Sequence, residues 1–164
     1  MTPPDATTAF RPCRADASPA RELLAELNAL LDAQYPGRAE RPGSVTTPDE
    51  LAPPGGVLLV GHDADGRAVA VGGLRALGGG VGEIKRLYVV PGARSRGVGR
   101  ALLAALEDAA RALGYRAVRL DAGPEQRHSR ALFASTGYRE IPVYSDNHIA
   151  VYAGEKELDP PVGG

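Results

Sequence analysis

The sequence predicts an α/β (α+β) fold in which a mixed, mostly antiparallel sheet of about seven strands carries helices on both faces. Residues 57–90 contain three strand-like segments separated by tight, glycine-containing turns, and this pattern favours an antiparallel meander. Residues 81–120 then contain a strand, a helix and a strand, which is the order of a β-α-β unit with a parallel strand pair, and a further helix follows at 126–135. Strand-like segments nearer both ends of the chain extend the sheet on either side of this unit.

The first half of the chain contains one clear helical pattern. Leucines at helical spacing predict a helix over 17–31, with Ser18 as its N-cap and Pro19 in its first turn. Five prolines indicate that residues 35–56 are mostly loop, with a short helix at 47–51. Strands are predicted at 10–14, 57–60, 67–77 and 81–90.

The second half contains the strongest helical pattern, over residues 97–113. It places Glu107 among the charged side chains of the outer face and four apolar side chains on the inner face. The inward positions are Leu102, Leu106, Ala109 and Leu113. A helix at 126–135 and strands at 117–120, 137–143 and 148–158 complete the predicted elements.

Composition places the chain among soluble globular proteins. Its 164 residues are expected to form one domain over 1–164, with 1–8 and 159–164 as tails, and they are 43% hydrophobic and 24% charged. A net charge of -1 argues against nucleic acid or an anionic membrane as a general partner. The N-terminus lacks the pattern of a secretory signal, and no apolar run approaches the roughly 20 residues of a membrane span, so a cytoplasmic protein is expected.

Cysteine and histidine give no indication of a metal site. Cys13 is the only cysteine, which excludes an internal disulfide and a cysteine-based zinc site. His62, His128 and His148 do not show metal-ligand spacing. No metal is therefore expected.

A basic turn between a predicted strand and the longest predicted helix is the most informative segment. The first amides of a helix have no intrahelical partner and lie at the positive end of the helix dipole, so they attract phosphate. Gly97 and Gly99 lack a Cβ, which lets an anion approach the backbone. Cationic side chains surround the turn. They are Arg94, Arg96 and Arg100, with Lys85 and Arg86 on the preceding strand.

Three general interpretations of this basic turn can be compared with its sequence. A nucleotide-binding P-loop requires Gly-Lys-Ser/Thr where the sequence has Gly97-Val98-Gly99, so that motif is excluded. A dinucleotide fingerprint requires a small residue at the position of Leu102, although Asp121 at the end of the next strand resembles the ribose-binding acid. A solvated basic turn without a ligand also stays open.

The motif Arg94-x-x-Gly97-x-Gly99, preceded by Leu87-Tyr88-Val89-x-Pro91, resembles the acetyl-CoA motif of the GCN5-related N-acetyltransferase (GNAT) superfamily. Residues 126–139 (QRHSRALFASTGYR) resemble the family's second motif, in which a helix ends in aromatic-x-x-x-Gly-aromatic. The resemblance extends over about residues 57–158. It is greatest to small, single-domain bacterial members that continue with a stretch like Ile141-Pro142-Val143-Tyr144.

This resemblance implies acetyl-CoA as the cosubstrate and a splayed parallel strand pair that receives it. The strand holding residues 87–89 would diverge from the strand at 117–120, with the pantetheine arm in the opening and the pyrophosphate on the amides of 94–100. An N–H near Val89 would polarise the thioester carbonyl. The residues implied in binding acetyl-CoA are Leu87, Tyr88, Val89, Arg94, Ser95, Arg96, Gly97, Val98, Gly99, Arg100, Ser129, Leu132 and Phe133.

The implied reaction is transfer of the acetyl group to a primary amine of a small molecule or a peptide N-terminus, by direct attack in a ternary complex. Glu83 matches the position of the family's base, and an amine with a pKa near 10 needs one at pH 7. Glu83 is equally compatible with a solvated position after a glycine-rich turn. Phe133 stands where many relatives carry a tyrosine acid, so either coenzyme A leaves as the thiolate or another group, such as Tyr138, Tyr144 or His128, takes that role. A non-catalytic acyl-CoA-binding or regulatory module is the alternative.

The acceptor pocket in similar enzymes is lined by the region after the first helix, here Asp32 and Tyr35, and by the segment around Tyr144. Glu83 would face the same pocket. Asp32 is also compatible with an ordinary helix-end carboxylate, and residues 144–148 with an ordinary polar loop. Because members of the family commonly dimerise, the resemblance also admits a homodimer.

Overall fold

The computed structural model describes residues 8–38 and 46–160. Residues 1–7 and 161–164 of the predicted tails, and residues 39–45 of the predicted loop, lie outside the described residues. The described strands are β1 (Ala9–Pro12), β2 (Val57–His62), β3 (Ala68–Gly78), β4 (Val81–Val89), β5 (Ala117–Ala122), β6 (Arg139–Ile141) and β7 (Tyr152–Glu157). The helices are α1 (Ala20–Gln34), α2 (Val98–Ala112) and α3 (Arg127–Ser135), with 3-10 turns at Pro48–Leu51 and Pro91–Ala93.

The strands form one seven-stranded sheet in the order β1-β2-β3-β4-β5-β7-β6. The pairing of β4 with β5 is parallel, whereas the other pairs are antiparallel. The predicted mixed, mostly antiparallel sheet is therefore confirmed. The last strand lies between β5 and β6, because β7 pairs with both of them.

Helices cover both faces of the sheet, as predicted. Helices α2 and α3 pack on one face, which we call the α2 face, and α1 packs on the other, which we call the α1 face. Buried side chains of the α2 face include Leu102, Leu106, Leu120 and Phe133. Buried side chains of the α1 face include Leu23, Leu27, Val60, Val71 and Tyr88. Two separate apolar layers therefore hold the sheet between the helices.

Helix α1 begins and ends three residues later than the sequence predicted. Pro19 is its N-cap rather than a first-turn residue, and Ser18 donates from its hydroxyl to Glu22. At the other end the helix continues through Gln34, because Ala33 and Gln34 favour helix and Pro36 ends it. The helix thus extends one turn further towards the C-terminal end of β5.

The inner face of α2 was also predicted incorrectly. Leu113 is 40% exposed, whereas Glu107 is buried. Glu107 accepts hydrogen bonds from the Tyr138 hydroxyl at 2.8 Å and from Lys156 Nζ at 3.0 Å. A carboxylate is tolerated inside because both oxygens are paired. Helical periodicity alone does not reveal these partners, which come from distant positions in the chain.

The last two strands are shorter than predicted, and residues 142–151 form a loop over the end of β5. Pro142 ends β6 because it has no N–H to donate. Ser145 and Asn147 donate from their side chains to the Asp121 carboxylate at 2.6 and 3.3 Å. These bonds hold the loop on the α1 face, where a longer strand would carry it away.

The described residues contain neither a helix suited to span a membrane nor a cluster of metal-binding side chains. None of the described helices combines the length and apolarity that crossing a membrane requires. In the same ranges, 8–38 and 46–160, no group of three or more His, Cys, Asp or Glu side chains is arranged to hold a metal ion.

Replacing Glu107 with alanine is expected to lower the free energy of unfolding by about 3 kcal/mol, because Lys156 and Tyr138 lose a buried partner. Urea denaturation measures the change. Asp108→Ala is the matched control on the same helix, since its carboxylate is exposed and pairs with Arg111, a contact worth less than about 1 kcal/mol. Equal losses in the two variants would show that the buried pairing is not important for stability.

Candidate active site

The parallel strands β4 and β5 pair only at their beginnings. Residues 81–83 of β4 pair with residues 117–119 of β5, and beyond that point β4 pairs with β3 alone. The sheet therefore opens between residues 84–89 of β4 and the second half of β5. Glu83 is the last β4 residue before the opening.

A β-bulge in β4 lies beside this opening. Val71 pairs with Tyr88 but Gly73 pairs with Lys85, so β4 has one more residue than β3 between these pairs. Arg86 lies in the bulge at a φ of 62°, a region that non-glycine residues rarely adopt. Because the bulge breaks the alternation of side chains, the adjacent residues Lys85 and Arg86 both lie on the α1 face, as Tyr88 does.

The basic turn follows β4 and leads into α2. Ser95 and Gly97 have φ values of 65° and 82°, which turns the chain sharply before α2 begins at Val98. In the described part of the chain, the amides of residues 95–97 donate no backbone hydrogen bond. The first amides of α2 also have no intrahelical acceptor. The turn therefore presents a row of free N–H donors at a helix N-terminus.

The arginines around the turn have different surroundings. Arg94 Nε donates to the carbonyl of Val89 at 2.9 Å and so fixes the turn to the end of β4. Arg100 donates to the Ser135 hydroxyl at the end of α3. Arg96 is exposed and has no ion-pair partner among the described side chains. Gly99 lies against Leu132, where an added Cβ would come within 3.3 Å.

Lys85 and Arg86 do not belong to this turn, contrary to the expectation from sequence. Lys85 Nζ lies 3.6 Å from Glu83, and Arg86 donates to Asn28 on α1. Both side chains therefore lie on the α1 face. Lys85 shares the face of Glu83 by strand alternation, and the bulge places the next residue, Arg86, on the same face.

Glu83 is a buried carboxylate with both oxygens occupied. Its side chain is 1% exposed. Arg75 Nε donates to Oε1 at 2.8 Å, and the Tyr144 hydroxyl donates to Oε2 at 2.6 Å. Arg75 also pairs with Glu50. Charges of alternating sign therefore follow one another in the order Glu50, Arg75, Glu83 and Lys85. The interpretation of Glu83 as a solvated residue is therefore wrong.

Tyr144 approaches Glu83 from the loop over β5. Burial raises the pKa of its hydroxyl, and the hydrogen bond to Glu83 raises it further. The Arg119 guanidinium lies 5.4 Å from the centre of the ring, a cation-π contact that holds the ring in place. Because its proton points towards Glu83, the lone pairs of the Tyr144 oxygen point away from it.

The other aromatic candidates lie in the core of the α2 face. Tyr138 is buried, and its hydroxyl donates to Glu107. Phe133 is 2% exposed, with its ring 6.0 Å from that of Tyr138 and 6.3 Å from that of Tyr152. Ser129 and His128 lie in the first turn of α3, where His128 is exposed. The structure therefore brings Tyr144, and not Tyr138, to Glu83.

The C-terminal end of α1 borders the same face. The Tyr35 hydroxyl accepts a hydrogen bond from the amide of Glu125 at 2.9 Å, and its ring packs against Gly123 just after β5. Asp32 lies in the last turn of α1, rather than in the following loop, and pairs with Arg38 at 3.1 Å. The end of α1 thus reaches across the sheet from β4 to β5.

Sequence reasoning missed Arg75, Asn28 and Arg38. Arg75 lies opposite Glu83 in the β3-β4 ladder, and the predicted hairpin could have indicated this cross-strand pair. Asn28 and Arg38 carried no such signal, since their contacts with β4 depend on how α1 packs on the sheet.

Diverging parallel strands that lead to an anion-binding turn are the arrangement expected of an acetyl-CoA-dependent acetyltransferase. Residues 24–138 match the model of the acetyltransferase (GNAT) family. The chain therefore belongs to this family and is an acyltransferase that uses acetyl-CoA.

Individual relatives agree with this assignment. The chain is 35% identical over 120 residues to the IAA acetyltransferase of Azospirillum brasilense, covering 73% of this chain and 76% of that protein. A Klebsiella pneumoniae protein assigned as an acyl-CoA N-acyltransferase is 25% identical with a TM-score of 0.73, covering 93% and 98% of the two chains. A GNAT acetyltransferase from Elizabethkingia anophelis with acetyl-CoA bound shares the fold at 16% identity, with a TM-score of 0.64 and coverage of 93% and 99%.

The residues of this chain fit acetyl-CoA. The free amides of 95–97 and the first turn of α2 suit a pyrophosphate, and the unpaired edge of β4 suits the amides of a pantetheine arm. Leu87 and Val89 lie along that edge, and Leu132 closes its α2 side. When bound, acetyl-CoA supplies an acetyl thioester that an amine can attack.

Gly97→Ala is expected to lower the free energy of unfolding by about 1 kcal/mol, because alanine at a φ of 82° is strained. It is also expected to weaken acetyl-CoA binding several-fold, since any relaxation of the turn redirects its amides. Calorimetric titration and urea denaturation measure the two effects. Gly92→Ala is the matched control, because Gly92 has open space around an added Cβ and no positive φ. Similar changes in both variants would argue against a special conformation at Gly97.

Proposed function

We propose that this acetyltransferase transfers the acetyl group to a primary amine of a small molecule or a peptide by direct attack in a ternary complex. The observation that supports this most strongly is the hydrogen bond between the partly buried Tyr144 and the buried Glu83 at the point where β4 and β5 separate. The pair lies on the α1 face, opposite the helix that begins at the basic turn. An acceptor and acetyl-CoA can therefore approach the opening from different sides.

Glu83 acts in this proposal as the final proton acceptor and not as a group that touches the amine. Both of its oxygens already accept hydrogen bonds, and its side chain is almost completely buried. Arg75 and Lys85 compensate its charge when it is ionised. The carboxylate thus holds the Tyr144 hydroxyl in one orientation.

Tyr144 relays the proton. Its oxygen accepts a hydrogen bond from the amine, because its own proton is directed to Glu83 Oε2. As the nitrogen forms a bond to the acetyl carbon and the carbon–sulfur bond breaks, the nitrogen loses a proton to Tyr144. Tyr144 at the same time gives its own proton to Glu83. The high pKa of the buried hydroxyl makes the tyrosinate unfavourable, so the two transfers are coupled.

Neither stabilisation of the thioester oxygen nor departure of coenzyme A requires a further catalytic side chain. An amide of β4 near Val89, on the edge that β5 leaves free, is positioned to stabilise the negative charge on the thioester oxygen. A thiol has a pKa near 8.5, so coenzyme A departs as a thiolate without a strong acid. This accounts for phenylalanine at position 133, deep in the core.

The first experiment is to incubate the protein with acetyl-CoA and a panel of amines and to measure release of the free thiol. The panel comprises amino acids, polyamines, aminoglycosides and peptides. Acetylation of at least one member is expected. Tight binding of acetyl-CoA without turnover on any amine would instead favour a regulatory acyl-CoA-binding module.

Tyr144→Phe is expected to reduce kcat about 100-fold or more, because the relay to Glu83 is lost. The KM for acetyl-CoA is expected to change little. Tyr138→Phe is the matched control, since it removes a hydroxyl that bonds to Glu107 in the core, costing about 1 kcal/mol of stability with little effect on kcat. A larger loss of kcat in Tyr138→Phe than in Tyr144→Phe would reverse the assignment.

The rate is also expected to depend on pH in one direction. It rises as the acceptor amine loses its proton and does not fall before about pH 10, the ordinary pKa of tyrosine, because the raised pKa of Tyr144 keeps the hydroxyl protonated. Steady-state kcat measured between neutral pH and this value tests the expectation. A decline below pH 9 to 10 that Tyr144→Phe abolishes would contradict a protonated tyrosine.

A further inference from the structure

Two arginine side chains meet on the α1 face, beyond Glu83 along β4. Arg86 Nη1 donates to Asn28 Oδ1 at 2.9 Å, and Arg38 Nη2 lies 3.4 Å from the same oxygen. Arg86 comes from the bulge of β4, Asn28 from α1, and Arg38 from the segment after α1. We call Arg86 and Arg38 the arginine pair.

The arginine pair has more positive charge than the described residues compensate. Asp32 pairs with Arg38, and its side chain is 55% exposed. In residues 8–38 and 46–160, no carboxylate lies within ion-pair distance of Arg86. Asn28 is neutral, and its single amide oxygen serves both guanidinium groups. Two cations therefore share one carboxylate.

Among the described residues, Arg86 thus has no anionic partner, which is unfavourable for a partly buried cation. Arg86 is partly buried, and burial together with the charge of Arg38 lowers the pKa of its guanidinium. The bulge also holds Arg86 at a φ of 62°. A partly buried cation without an anionic partner raises the free energy of the folded state. A strained φ persists where the surrounding structure fixes it, often at ligand sites.

The phosphates of coenzyme A are not the missing anion. Their turn leads into α2 on the opposite face of the sheet, whereas Arg86 contacts α1. Arg86 follows Glu83 by three residues, which is about 10 Å along an extended strand. The long arginine side chain can reach back along this distance, so one small molecule can contact both the arginine pair and Tyr144.

We propose that the arginine pair binds a carboxylate of the acceptor, so that the acceptor carries an amine and a carboxylate in the same small molecule. A guanidinium presents its N–H groups in a plane that matches a carboxylate. Most of the donors of Arg86 have no acceptor among the described residues and are available for this contact. The inference rests on the proposed function for its statement that the bound carboxylate belongs to the acceptor.

Calorimetric titration of the protein saturated with coenzyme A tests binding without turnover. The probes are α-amino acids, ω-amino acids and dipeptides, each with its matched carboxamide. At least one acid is expected to bind 10-fold or more tightly than its carboxamide. Arg86→Gln is expected to weaken that acid about 10- to 100-fold and to leave the carboxamide unchanged, as loss of a charge-assisted contact predicts.

Two further variants separate a binding role from a structural one. Asn28→Asp keeps the shape of the side chain but adds a carboxylate between the two guanidinium groups. It is expected to raise Tm and, at the same time, to weaken acid binding at least 10-fold. Arg67→Gln removes an exposed arginine from the β2-β3 hairpin and is the charge-matched control, with no expected effect on the acids.

The outcomes distinguish this inference from the proposed function. If no acid binds, if acids and carboxamides bind alike, or if Arg86→Gln and Arg67→Gln have equal effects, the carboxylate site is rejected. A higher Tm of Asn28→Asp with unchanged acid binding also rejects it. Acids that bind through Arg86 but are not acetylated when acetyl-CoA replaces coenzyme A support the site and contradict the proposed transfer to them. Acetylation only of amines that lack a carboxylate supports the transfer and rejects the assignment of the bound carboxylate to the acceptor.

Discussion

The incomplete pairing of β4 with β5 is the constraint on which the rest of the structure depends. Parallel contact ends at Glu83, and from there on β4 pairs with β3 alone, with a bulge at Arg86. The opening leaves backbone donors and acceptors of β4 without a strand partner, a state that is costly unless water or a ligand pairs with them. It also places the buried carboxylate and the free edge next to each other.

The sheet separates the backbone amides of the basic turn on one face from a group of charged side chains on the other. On the α2 face, the free amides of the basic turn and the start of α2 suit the phosphates of coenzyme A. On the α1 face, Glu83 is balanced by Arg75 and Lys85, while Arg86 has no carboxylate partner in the described ranges. A neutral protein can thus hold two positively charged sites, because the sheet and its apolar layers keep them apart.

Features with local causes were predicted well from the sequence. The hairpin turn after β2, the short helical turn at Pro48–Leu51 and the extent of α2 follow from turn residues and helical spacing. Glu83 and Tyr144 were among the candidates, but only the folded chain shows that they form a pair. The inward position of Glu107 was missed, because its partners come from β7 and from the turn between α3 and β6.

The sequence by itself determined the class of fold, the anion-binding turn and the family, because these depend on short motifs whose residues are neighbours in the chain. The tertiary structure alone decided which side chains meet on the α1 face. Lys85 and Arg86 directly precede the cofactor motif in the sequence, yet both lie on the opposite face. Lys85 shares that face with Glu83 by strand alternation, and the bulge places Arg86 there too, in contact with Asn28. The direction of a side chain on a strand depends on register, and register is set by pairing between segments that are distant in the chain.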